Sequence, residues 1–184
     1  MIHIFVHGFN SQDGGNDPRI VNLRNQFASR DKVLVPFHYG KLSIFAVRVA
    51  NLNLACALAT FVTAIANEPV TLVGHSNGCA LIHRALQLLP LGIVQRVVYL
   101  SPALDRNTEP PAGPDRVEVW HTERDGALWW ARFLAWHEWG TMGRHGYTGT
   151  SLRVTNRDYS DKIGGHSDWF EDAAWLADEI LRDT

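Results

Sequence analysis

Short apolar runs alternate along the chain with stretches of helical periodicity. Ile2–Val6 is a compact apolar strand that starts at once and gives way to a Gly-, Asn- and Asp-rich stretch from Gly8 to Asp17. Within Arg19–Ser29, Ile20, Leu23 and Phe27 fall at i, i+3 and i+7, the spacing of one helix face. Lys32–Phe37 reads as a second strand and Ser43–Asn67 as a long Ala- and Leu-rich helix ending before Pro69. Val70–Val73 is a third strand, followed by a helix stopped by Pro90. Val94–Leu100, Val117–Trp120 and Leu152–Thr155 read as three more strands. Ala127–Trp139 contains a Trp-rich helix, and the Gly-rich stretch Gly140–Gly149 is expected to be irregular. Asp168–Leu181 closes the pattern as a helix with Asp168 as its N-cap. Continuous Val/Ile/Leu strands joined by helices are buried on both faces, which implies a parallel sheet between two helical layers.

Composition narrows the function classes. The chain has 184 residues, of which 46% are hydrophobic and 20% charged, the balance of one ordinary globular domain spanning residues 1–184. Seventeen Lys and Arg against 19 Asp and Glu leave no basic excess to neutralise a run of phosphates, so no nucleic-acid partner is expected. Cys56 and Cys79 have no metal or CxxC spacing and read as small buried hydrophobes. The amino terminus lacks a basic segment followed by a sustained apolar one, so a cytoplasmic location is expected. Ile44 to Ala66 is mostly apolar, but Arg48, Asn51 and Asn53 interrupt it, which favours a helix packed on the sheet over a membrane span.

The candidate chemistry centres on Gly74-His75-Ser76-Asn77-Gly78. A Gly-x-Ser-x-Gly match arises by composition in a chain of this length roughly one time in twenty, so the five letters carry little weight alone. Their context carries more. An apolar strand ends at the first glycine and an apolar helix begins after the second. A serine on so sharp a turn stands clear of the sheet at the positive end of a helix, and glycine neighbours make room for it.

With this motif in place the chain resembles the α/β-hydrolase superfamily over nearly its whole length. The resemblance implies a minimal three-layer α/β sandwich of about six mostly parallel strands in the order 2-1-3-4-5-6, with helices on both faces and no lid. It also implies a set of roles. Ser76 is the nucleophile. His166, in Gly164-Gly165-His166 before the last helix, is the general base. Asp125, in the loop after Val117–Trp120, is the acid that orients it, with Glu123 and Asp105 as rivals. The His7-Gly8 pair after the first strand makes Phe9 one backbone oxyanion donor, and Asn77 is the other. Each such donor is worth on the order of 10²–10³ in rate. The chain order Ser76, Asp125, His166 agrees with that superfamily and differs from the chymotrypsin and subtilisin orders.

The implied activity is hydrolysis of a carboxylic ester, on a small-molecule or acylated substrate, through an acyl-serine. Thioester or amide hydrolysis with the same triad, and a catalytically silent binding module, are the alternatives. No metal and no organic cofactor is implied. His137-Glu138 does not begin a zinc site, because His145 lies eight residues on from His137 and HExxH needs four. His3 and His83 occur in apolar surroundings, His75 is expected to pack beside the nucleophile, and His38, His121, His137 and His145 are candidates to line the cleft. Trp129, Phe133 and Trp136 are spaced as a core-facing stripe, although the Trp-rich segment could equally roof the site.

Overall fold

The computed structural model describes residues 1–8, 17–40, 47–131 and 139–182. Six strands form one sheet: β1 (Ile2–Val6), β2 (Val33–Phe37), β3 (Val70–His75), β4 (Val94–Leu100), β5 (Arg116–His121) and β6 (Val154–Asp158). Their order is β2-β1-β3-β4-β5-β6 and every pairing is parallel, as expected from the sequence. The helices are α1 (Pro18–Ala28), α2 (Val47–Ile65), α3 (Asn77–Leu86), α4 (Gly126–Ala131), α5 (Met142–His145) and α6 (Ala173–Leu181).

Alternation along the strands divides the core in two. Ile4, Val6, Leu72, Val97 and Val119 face α2 and α3, while Phe5, Val73, Val98, Leu100 and Trp120 face α1 and α6. Asp17 starts α1 by accepting the Arg19 N–H at 3.0 Å, and Pro18 fills the first turn, where a missing N–H has no consequence. Among the described residues, no helix is long and apolar enough to cross a membrane.

Several boundaries differ from the sequence expectation. The final helix does not run from Asp168. A 3₁₀ turn covers Asp168–Phe170, and α6 starts at Ala173 with Asp172 as its cap, accepting the Trp175 N–H at 2.9 Å. Trp169 and Phe170 are both buried, Trp169 against Trp120 and Tyr159 and Phe170 against Phe5 and His75, and seating two consecutive large rings in different places breaks the helical path. The sixth strand begins at Val154 rather than Leu152, which is fully exposed in the preceding turn; an edge strand with few core contacts gives a weak pattern. The Gly-rich stretch is not wholly irregular, since α5 lies within it. Cys79 is buried but Cys56 is exposed, on a stretch of α2 where Leu52 and Ala57 are exposed too, so apolar residues mark both faces of the helix there.

On the α1/α6 face a buried charge cluster ties three strands to the last helix. Glu118 is fully buried and meets Arg96 Nε at 2.6 Å, Arg157 Nε at 3.0 Å, Arg116 Nε at 3.2 Å and the Trp120 indole N–H at 3.0 Å. Arg96 also donates to the Ile180 carbonyl, and Arg157 reaches Glu179 at 3.1 Å. Removing one partner from such a cluster leaves uncompensated buried charge, at about 3–5 kcal/mol.

His3, fully buried beneath the Phe27 ring, makes no well-formed side-chain hydrogen bond among the described residues. Burial lowers its pKa to about 4, so at pH 5 the unfolded chain holds a proton there that the folded chain does not. Stability contributed by neutral His3 is therefore present above pH 6.5 and is lost as pH falls from 6.5 towards 4. Urea unfolding at pH 7 and pH 5 should show His3→Leu losing less stability on acidification than the wild type, by about 1–2 kcal/mol. Equal losses in the two proteins would refute the assignment.

Candidate active site

The site is built at the carboxyl ends of β1, β3, β4 and β5. Ser76 follows β3 with φ 56° and ψ −124°, a conformation that a residue with a side chain rarely adopts. Three backbone hydrogen bonds hold it. The Ser76 N–H donates to the Leu100 carbonyl at 3.0 Å, and the Ser76 carbonyl accepts from Cys79 at 3.1 Å and Ala103 at 3.3 Å. That carbonyl belongs to the same planar peptide as the Asn77 N–H, so fixing one fixes the direction of the other. As the first residue of α3, Asn77 has no intrahelical acceptor for its N–H.

Two glycines allow this approach. A Cβ on Gly78 would lie 2.1 Å from the Val6 carbonyl oxygen, an impossible distance, so α3 can sit against the end of β1 only without a side chain there. A Cβ on Gly8 would lie 3.2 Å from that of Ser76, a tight but less severe contact.

His166 and Asp125 are brought together as the sequence implies. The two are 2.7 Å apart, Nδ1 to Oδ2, with Asp125 fully buried and His166 partly open to solvent. The ionised carboxylate can only accept, so Nδ1 carries the proton and the Nε2 lone pair is left for another partner. Burial pushes the Asp125 pKa up. The hydrogen bond and charge of His166, the Leu128 N–H at 3.0 Å and the Ser101 hydroxyl outweigh it and hold the carboxyl below its usual range. The rivals Glu123 and Asp105 are exposed.

The residues flanking Ser76 connect it to its surroundings. His75 Nε2 donates to the His166 carbonyl at 2.8 Å, and the two imidazole centroids are 4.9 Å apart. Burial, first, and then His166 lower the His75 pKa to about 3, so its ring is neutral and serves as a fixed donor. The Asn77 carboxamide pairs reciprocally with that of Asn51 on α2, at 3.0 and 3.1 Å, and also accepts the Trp139 indole N–H at 3.3 Å. Tyr39 stacks on His7 with centroids 4.2 Å apart and donates its hydroxyl to the His7 carbonyl at 2.7 Å.

Phe9, Phe133, Trp136 and His137, and most of the Trp-rich segment with them, lie outside the described residues. His121 is buried at the end of β5, 3.9 Å from Asp158, and His145 is exposed. No group of three or more His, Cys, Asp or Glu side chains suited to a metal ion occurs among the described residues. Sequence reasoning missed Asn51, Tyr39, Ser101 and Trp169. Ser101 had a signal, since it follows a buried strand and precedes a proline, as a residue closing a strand at a site edge would.

This arrangement of strands and helices has counterparts among solved structures. Alpha/beta hydrolase domain-containing protein 10 from mouse superimposes with a TM-score of 0.64 at 15% identity, over 98% of this chain and 89% of that one. The chain has the α/β-hydrolase fold. A protein of the alpha/beta superfamily from Xanthomonas campestris pv. campestris matches this fold with a TM-score of 0.57 at 19% identity, over 99% and 98% of the two chains. Est1E from Butyrivibrio proteoclasticus, solved with ferulic acid bound, matches at 0.57 and 15%, over 99% and 88%. No protein-family model and no curated protein sequence matches the chain.

The two glycines make a graded prediction. Gly78→Ala should destabilise the protein by about 3 kcal/mol or more, because backbone stands in the way of the added methyl, and Gly8→Ala by clearly less. Thermal unfolding of the two variants checks the order, and equal effects would mean that α3 is free to move off β1.

Proposed function

We propose that the protein is a serine hydrolase that cleaves a carboxylic ester through an acyl-serine intermediate. The observation that carries this reading is the strained Ser76, beside a 2.7 Å His166–Asp125 pair that its neighbour His75 holds by the backbone. Positive φ in a non-glycine residue is kept only where surrounding structure imposes it, and it clusters at reactive sites.

In this reading the Ser76 hydroxyl attacks the ester carbonyl while His166 Nε2 takes its proton. Negative charge gathers on the former carbonyl oxygen and is met by the Asn77 N–H and, on the family pattern, by that of Phe9. Collapse of the tetrahedral intermediate breaks the bond to the alcohol oxygen, which receives the proton from His166. Water, losing its proton to His166, then attacks the acyl-serine, and His166 returns that proton to the Ser76 oxygen as the acid leaves. Asp125 stays ionised throughout and stabilises the imidazolium that forms. The chemistry needs no metal and no organic cofactor. The same triad can also act on thioesters and amides, so substrate class is settled by profiling.

Hydrolysis of p-nitrophenyl esters from acetate to octanoate should be measurable for the wild type. Ser76→Ala should lower kcat by about 10⁵–10⁶-fold, in line with the loss of a triad nucleophile. Retention of a tenth or more of the activity in Ser76→Ala would overturn the assignment. A set of thioester and anilide substrates assayed beside the esters gives the preferred bond.

A further inference from the structure

The outer face of α2 is an apolar surface that the chemistry at Ser76 does not use. No charged residue stands between Arg48 and Glu68 in the sequence. Leu52, Cys56, Thr60, Thr63 and Ala64 fall on one helical stripe and are exposed, while Ala55, Leu58 and Val62 are buried on the other side. The two threonines add little polarity to this face. Thr60 donates its hydroxyl to the Cys56 carbonyl at 3.0 Å and Thr63 to the Ala59 carbonyl at 2.9 Å, so each donor is satisfied within the helix.

Leucines project beside this stripe. Leu52 is 58% exposed on α2, and Leu88 and Leu91, just past α3, are 52% and 74% exposed. Next to them the small side chains of α2 leave a shallow depression of about 530 Å³, lined by Cys56, Ala59, Thr60, Thr63, Ala64 and Leu88. On the other side of Leu88, a second depression of about 300 Å³ is bordered by His83, Arg84 and Gln87, which give the patch a polar rim. A contiguous exposed apolar patch with such a rim marks an interaction site.

We propose that this face pairs with the same face of a second copy of the chain, α2 against α2 in antiparallel sense about a two-fold axis. The charges that bound α2 are opposite in sign. Arg48 stands at its amino end, and just past its carboxyl end stands the half-exposed Glu68, which meets the amino-terminal nitrogen at 2.7 Å through one oxygen. Antiparallel pairing that sets Arg48 of each copy beside Glu68 of the other places the axis level with Leu58, midway between them. The same register brings Leu52 of one copy level with Ala64 of the other, over the depression that Thr60, Ala64 and Leu88 border. Each copy thus carries both the projection and the recess that receives it, as an isologous contact requires. The 19 residues of α2 run about 28 Å, and with the end of α3 the patch is about 20 Å wide, so two copies bury roughly 1,100 Å² in all, the low end for a specific contact. A membrane surface fits less well, because an interfacial helix carries Lys or Arg along its polar face and residues 49–67 hold neither. Such a dimer forms whether or not Ser76 is a nucleophile.

Sedimentation velocity of the full chain, from about 5 to about 500 µM, covers the range in which a contact of this size dissociates. The wild type should pass from monomer to a species of twice the mass and no larger. Leu52→Lys should stay monomeric throughout, with a Tm within about 3 °C of the wild type because the site is exposed. Arg48→Glu should weaken association about three- to tenfold at low salt, and adding Glu68→Arg should restore it, since opposite charges then meet again across the axis. Cys56 lies two residues from the level of the axis, so a short bismaleimide should join two wild-type copies there but not two copies of Leu52→Lys, and Cys79 is buried. A wild type that stays monomeric, a Leu52→Lys protein that associates like the wild type, or a mass that climbs past two copies would overturn the proposal. So would a charge-reversed double variant no better than Arg48→Glu. A monomeric wild type that co-sediments with phosphatidylcholine vesicles would assign the face to a lipid surface instead.

Discussion

The peptide between Ser76 and Asn77 is fixed by hydrogen bonds at its carbonyl, and the geometry of the site follows from that constraint. The bonds come from two directions, from Cys79 within α3 and from Ala103 after β4. Ser76 therefore keeps its φ of 56° only while helix, sheet and the chain beyond β4 are all in place. Strain of this kind costs about 1–3 kcal/mol. The fold meets that cost from a core in which β3 is buried along its whole length. A local change at the elbow is thus coupled to the packing of β1, through Gly78, and of β4, through Leu100.

Around that peptide the work is divided by side. His75 faces His166, and Asn77 faces Asn51 and Trp139. The two residues adjoining Ser76 thus tie it to opposite sides, one towards His166 and one towards α2. Both are buried and neutral, so neither brings a charge to Ser76. The Asp125–His166 hydrogen bond stands apart from the large charge cluster at Glu118, which fastens β4, β5 and β6 to α6 on one face of the sheet.

Much of this was legible in the amino-acid sequence. Buried strands written as unbroken Val/Ile/Leu runs gave the parallel sheet, because each run is long enough to pair and too apolar to face water, while the strand order came from the resemblance to the α/β-hydrolases. Gly74 to Gly78 pointed to Ser76, and the order of Ser76, Asp125 and His166 pointed to the pair now found at 2.7 Å. What escaped was of three kinds. Edge and terminal elements shifted, as at Leu152 and Asp168, because few contacts or two adjacent large rings decide them rather than periodicity. The α2 face at Cys56 was misread because exposed apolar residues, Leu52 and Ala57 among them, surround it there. Asn51 and Tyr39 were invisible because a single polar side chain acquires meaning only when folding brings distant partners to it.

The central claim is that Ser76 is an activated nucleophile served by His166. Intact-mass spectrometry after incubation with a fluorophosphonate tests it most directly, on the wild type beside Ser76→Ala and His166→Ala. The account predicts one adduct on the wild type and none on either variant. A folded wild type that takes up no reagent, or a Ser76→Ala protein that is labelled as readily as the wild type, would contradict it.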